Sequence, residues 1–143
     1  MQIMKFIFIL LAFASCTSVQ TQGVQGQVFW LSGDQMPGPG KKRSPQQGVV
    51  REILFYEATT LAEAKQESNF FSLPNKQPVG TVMSSPEGNF SINLPAGKYS
   101  VFVKEQDGLF ANLFDGDGCI NCISVAPKKM TWITITVDYA AAY

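Results

Sequence analysis

Cys119-Ile120-Asn121-Cys122 is the one obvious chemical pair in the chain. Two thiols at this spacing can form a local disulfide, stay free and partly buried, act as a redox couple or supply half of a zinc site. A thioredoxin-type motif opens a helix after a parallel strand, whereas this pair lies between β-type segments. A zinc site needs two further ligands, and only Asp115 and Asp117 stand nearby, an unusual set. These acids belong to Asp115-Gly116-Asp117-Gly118, which invites a calcium reading. An EF-type loop would want an oxygen ligand where Cys119 stands and a glutamate where Ala126 stands. The plainer reading is an acidic turn, although Asp107, Asp115 and Asp117 could gather an ion from separate loops. Lys41-Lys42-Arg43 could meet anionic lipid head groups, each charge contributing about 1 kcal/mol near such a surface, or form a solvated loop tip. Phe29, Trp30, Phe70, Phe71 and Trp132 could build a sugar-stacking platform or fill a core. The chain has no histidine. That removes the commonest general base, the commonest zinc ligand and every Ser-His or Cys-His arrangement. No nucleophile, base and orienting group can be assembled, so neither catalysis, a cofactor nor a metal is expected.

A fifth feature lies at the start. Met1 to Ser15 carries one positive charge, Lys5, then the apolar run Phe-Ile-Phe-Ile-Leu-Leu-Ala-Phe-Ala-Ser, and Cys16 follows at once. An apolar run of about ten residues is too short to span a bilayer and has the form of a secretory signal. Ala14, Ser15 and Cys16 resemble the lipobox of bacterial lipoproteins, with Phe13 where that pattern prefers Leu. The resemblance implies that residues 1–15 are a signal peptide and that Cys16 is the lipidated first residue of the mature protein. Ala12-Phe13-Ala14 also fits an ordinary signal-peptidase site, which would release a soluble chain beginning at Ser15. With Cys16 lipidated, the remaining cysteines are even in number, and in an oxidising compartment a Cys119–Cys122 disulfide is the leading reading. Thr17 to Gly23 is a polar tether. Its seven residues reach at most about 25 Å, which would hold the domain close to the membrane.

Without the signal, about 128 residues remain, enough for one core but not two. Of the 11 basic residues Lys5 leaves with the signal, so 10 face 11 acidic ones. That balance argues against nucleic acid as a partner.

Strands must position all of these residues. Val24 to Leu31 is the first, with Val24, Gly26, Val28 and Trp30 on one face. Gly33 to Gly48 is a long turn-rich connection. Val49 to Glu57 sets Val49, Ile53 and Phe55 against Glu52 and Leu54, with Arg51 on the apolar face. Thr60-Leu61-Ala62-Glu63 has capping-box spacing and predicts a short helix to about Glu67. Pro78 to Ser84 is a third strand. Asn89 to Leu94 and Lys98 to Lys104 alternate cleanly around Pro95-Ala96-Gly97 and predict a hairpin, Gly97 in the left-handed region. Leu109 to Phe114, Ile123 to Ala126 and Met130 to Asp138 follow, and residues 139–143 are an Ala-rich tail expected to fray. Seven or eight short strands between turns predict an all-β sandwich.

Two stretches resemble a known family. One is Gly23-Val24-Gln25-Gly26-Gln27-Val28, leading to Met36-Pro37-Gly38 and the strand Val49 to Glu57. The other runs from Val82 through Gly88-Asn89-Phe90 and Leu94-Pro95-Ala96-Gly97-Lys98-Tyr99. Together they are similar to the carboxypeptidase regulatory-like domain over about residues 24–138. The resemblance implies a transthyretin-like, seven-stranded Greek-key sandwich, common in envelope proteins of Bacteroidetes-type bacteria and lacking a zinc site. The long basic loop 33–48 and the insert after Thr60 depart from that pattern.

The expectation is a non-catalytic lipoprotein at the outer membrane, a structural or protein-interaction module held by its lipid. The alternative is a glycan- or small-ligand-binding accessory protein, marked by outward aromatics such as Trp132 beside Phe70 or Phe71. Thr17 to Gln22 lacks the acidic cluster that resembles a surface-export signal, which points to the periplasmic side.

Overall fold

The computed structural model describes residues 21–143. The signal segment, Cys16 and most of the tether lie outside the described residues. The chain is an all-β sandwich of two sheets. Its strands are β1 (Gly23–Asp34), β2 (Gln47–Gly48), β3 (Glu52–Glu57), β4 (Lys65–Glu67), β5 (Phe70–Ser72), β6 (Gly80–Met83), β7 (Asn89–Asn93), β8 (Gly97–Glu105), β9 (Gly108–Phe110), β10 (Cys122–Val125) and β11 (Met130–Ala142). The first sheet has β1 between parallel β11 and antiparallel β2 and β7. The second runs β4-β5-β9-β8-β3-β6, with β10 also against β8. Sheets of four and seven strands replace the seven strands expected in all, because several are segments of two or three residues. Among the described residues no helix is long and apolar enough to cross a membrane.

Alternation builds the main core. Val24 and Val28 of β1, Phe90 of β7, and Ile135 and Val137 of β11 meet Ile53 and Phe55 of β3 and Tyr99, Val101 and Val103 of β8. The centres of β3 and β8, however, are apolar at successive positions, so their sheet must be covered on both faces. On its outer face Leu54, Tyr56 and Phe102 pack with Phe71, Leu73, Ala111 and Ile120. Leu54, expected to face away from the core with Glu52, is therefore part of a second core. The insert 58–73 and the loop 111–121 cover it.

The expected hairpin around Pro95 is an arch between sheets. β7 pairs with β1, while β8 pairs with β3. Both strands point their apolar side chains into the same core, from opposite sides. Period-two alternation is identical for strands that pair and strands that stack. Gly97 is near-extended at φ 157° rather than in a tight turn, and the Tyr99 hydroxyl braces the arch by donating to the Pro95 carbonyl at 2.6 Å.

Two other expectations are corrected. The helix 61–67 is only a 3-10 turn over Leu61–Glu63, after which Lys65–Glu67 pairs with β5. A seven-residue helix is marginal, and hairpin pairing gives the same backbone groups partners at once. Residues 139–143 are no frayed tail. β11 continues to Ala142 opposite Ser32–Asp34 beyond an irregularity at Trp30/Ser32, and Tyr139 packs against Trp30, Phe70 and Phe110.

Candidate functional site

The chemistry-bearing residues near the C-terminus all belong to the loop over the second core. Leu113 to Asn121 folds back on itself: the Asn121 N–H donates to the Leu113 carbonyl at 2.8 Å, and Phe114 bridges Ile120. The insert clasps its other side. Thr60 bridges Cys119, the Leu61 N–H donates to Gly118 and the Ile120 N–H to Thr59. The turn Leu61–Glu63 is held because the Glu63 carboxylate accepts the Thr60 N–H at 2.8 Å. That bond and the Lys76 ammonium keep the carboxyl below its ordinary range.

Cys119 and Cys122 are joined by a disulfide. One Asp115 oxygen accepts the N–H groups of Asp117 (3.0 Å) and Cys119 (2.8 Å), and the other accepts the Lys98 ammonium at 3.1 Å. The Cys119 N–H and Lys98 hold the Asp115 carboxyl below its usual value. Among the described residues only Asp115, Cys119 and Cys122 bring three ligand-type atoms within 4.8 Å of one another. The two sulfurs are bonded to each other and offer no thiolate, and Asp115 already holds a cation. Asp117 is exposed outside this group, and Asp107 lines a groove elsewhere with Phe70 and Gly108. The three acids do not gather around an ion; Asp115 organises the turn.

What the loop displays is apolar. Leu113 is 60% and Phe114 46% exposed, and Leu61 is exposed on the clasping turn. The Phe114 ring leans edge-on against Phe71 at 6.1 Å, so its inner side is seated while its outer side stays open. Sequence reasoning missed these residues. The available signal was a Leu-Phe pair beside a turn motif that gives it no strand partner.

The basic run is dispersed. Lys41 pairs with Asp34, and that contact, with the Met36 N–H, lowers the Asp34 carboxyl. Arg43 lines a groove of about 340 Å³ with Leu31, Gln35, Pro37 and Tyr143. Lys42 is exposed. The three charges therefore do not form one patch.

The five aromatics likewise separate. Phe71 is buried, Phe29, Trp30 and Phe70 are half-buried, and Trp132 is 58% exposed on the outer face of the first sheet. Phe70 meets Phe110 and Tyr139, and Phe71 meets Phe102 and Phe114; Trp132 stands beside neither. The five-ring platform is not formed. In its place Trp30 and Tyr139 flank an ion pair: Arg51 Nε donates to Glu105 at 2.6 Å, the Arg51 guanidinium lies 5.7 Å from the Trp30 ring centre, and the Tyr139 hydroxyl donates to the other Glu105 oxygen at 2.8 Å. Burial and then the Glu105 bond push the Tyr139 hydroxyl above its ordinary range. Arg51 on an apolar strand face was the sequence signal for this cluster; Glu105 and Tyr139 gave none.

No family model, curated protein or solved structure matches the chain.

Proposed function

We propose that this is a non-catalytic interaction module, carried by a lipoprotein of the bacterial envelope and anchored through Cys16. The observation that carries the interaction reading is the display of Leu113 and Phe114 on a loop fixed by a disulfide, by Asp115 and by the clasp from Thr60 and Leu61. Exposed apolar side chains in one fixed conformation lose little entropy when a partner covers them, so the rigid loop favours binding over mere exposure. The partner suited to it is another envelope protein with an apolar recess. Support for the compartment comes from the N-terminal segment of the sequence and from a disulfide, which persists in oxidising surroundings. Support for a carboxypeptidase regulatory-like domain comes from the motif around Gly88, Leu94-Pro95 and Tyr99.

The test is a photo-crosslinking residue at Leu113 in living cells, with Glu87, on a distant turn, as the control position. A discrete protein adduct from position 113 in the membrane fraction, absent from position 87, is the expected result. Adducts from both positions alike, or from neither, would refute the interaction surface. Intact mass of the membrane-extracted protein reads the anchor separately: a start at Cys16 with added acyl mass is expected, and an unmodified start at Ser15 would remove it.

A further inference from the structure

We propose that the outer face of the first sheet binds a neutral polysaccharide, with Trp132 as the stacking surface. This goes beyond the interaction reading, since it concerns another face and another ligand and needs neither the anchor nor the apolar loop.

Register places the residues. Across β7, β1 and β11, Ser91 stands beside Gln25 and Gln25 beside Trp132; in the next row Asn89 stands beside Gln27 and Gln27 beside Thr134. Val24, Val28, Phe90 and Ile135 point into the core between the sheets, so these six side chains project together from the opposite face. Neighbours within a row are about 4.8 Å apart and the two rows about 7 Å apart. None of the chain's 11 acidic and 11 basic residues occupies either row.

The six side chains share a second property. Elsewhere Gln22, Gln35, Asn112 and Asn121 each donate to a backbone carbonyl. Among the described residues, by contrast, no hydrogen bond is made by the side chains of Gln25, Gln27, Asn89, Ser91, Trp132 or Thr134. Amides and hydroxyls offer donors and acceptors together, which is what the vicinal hydroxyls of a sugar require. An indole that is 58% exposed supplies a flat apolar surface for the C–H face of a pyranose ring, and its N–H supplies a donor.

The same chemistry disfavours other occupants. A protein interface wants an apolar centre, and in these two rows Trp132 is the one apolar side chain among five polar ones, with the half-buried Met130 and Phe29 in the rows beyond. Nucleic acid or an anionic glycan would want cations. An uncharged, hydrogen-bonding face with one stacking ring suits an uncharged polyhydroxylated chain.

The experiment is electrophoretic retardation in native gels containing barley β-glucan, xyloglucan, galactomannan or amylopectin, with polygalacturonate as the anionic control. Retardation by at least one neutral polymer and none by polygalacturonate is expected. Trp132→Ala should weaken that affinity about tenfold, and the double change Gln25→Ala/Gln27→Ala several-fold, with unchanged melting curves because the side chains lie outside the core. Trp132→Phe should retain part of the binding. Failure of every neutral polymer to retard the protein, equal retardation by polygalacturonate, or a folded Trp132→Ala protein that binds like the parent would each overturn the proposal.

Discussion

Asp115 holds its turn through charge, and that has a consequence in acid. Its carboxyl is lowered from an ordinary value of 3.8, first by the Cys119 N–H and then by Lys98. A carboxyl lower in the folded than in the unfolded chain contributes stability that is complete above the unfolded value. That contribution disappears as pH falls through the folded one. Asp34, lowered by Lys41, and Glu63, lowered by the Thr60 N–H, have the same sign. Melting temperature should therefore be level between about pH 5 and about pH 9 and fall steadily below about pH 4. Asp115→Asn should reduce melting temperature at neutral pH and make the acid fall shallower; an unchanged slope would remove Asp115 as a contributor. Gly88 acts through space rather than charge. Its φ is +87°, and a Cβ there would lie 2.1 Å from the Val28 carbonyl oxygen, whose residue donates its own N–H to Gly88 at 2.8 Å. Gly88→Ala should cost about 3 kcal/mol in urea unfolding. The glycine was legible in the sequence as a turn residue. Its close approach to β1 was not, because nothing local records which strand the turn will lie against.

At the scale of elements, period-two alternation located most strands but not their neighbours. Phe90 and Ile92 on one side of Pro95, and Tyr99 and Val101 on the other, suit a hairpin and a sheet-to-sheet arch equally. The second core was hidden for a related reason. Leu54, set with Glu52, looked like the solvent side of a half-buried strand, and only the return of residues 58–73 and 111–121 buries it together with Tyr56. The disulfide that ties down this cover closes a loop of four residues, which by chain entropy stabilises by about 2 kcal/mol. Cys119→Ser/Cys122→Ser should lower stability by about that amount. It should also speed amide exchange at residues 111–121 while leaving β1 and β7 protected; uniform exchange across both sheets would mean that the cover and the main core unfold together. Asn112 serves the other sheet. Its side-chain N–H groups donate to the Thr136 carbonyl at 3.3 Å and to Asp138 at 2.9 Å, which occupies part of the outer edge of β11. That strand is rich in threonine and apolar residues, the composition that pairs readily with a second chain when its edge is open. Asn112→Ala should cost about 1 kcal/mol and raise self-association in analytical ultracentrifugation, whereas a monomer at all concentrations would show that the rest of the fold protects this edge.

For the whole molecule, the C-terminal strand decides how the two sheets are joined at the Trp30 end. Tyr139 leaves the first sheet's pattern at the irregularity and reaches Phe70 and Phe110 of the second sheet, while its hydroxyl meets Glu105, itself paired with Arg51 at the entry to β3. The Glu105 side chain is only 6% exposed, and its two oxygens are satisfied by Arg51 and Tyr139; removing either leaves a buried carboxylate less well paired. A composition reading could not find this, because a run of Tyr and Ala after Asp138 has no alternation to mark it as strand. The loop of Leu113 and Phe114 lies outside the second sheet and the Trp132 face outside the first, with the main core between them. Ending the chain at Asp138 removes Tyr139 and the pairing of Ser32–Asp34 with Ala140–Ala142, and should cost about 3 kcal/mol in chemical unfolding. Removing Tyr143 alone, which contributes a hydrogen bond to Asp138, should cost less than about 1 kcal/mol. Equal and small losses from the two truncations would mean that the sheets are joined by the core alone. The large difference expected here makes the last strand a structural clamp, and it predicts that a fusion placed directly after Asp138 will weaken the fold while one placed after Tyr143 will not.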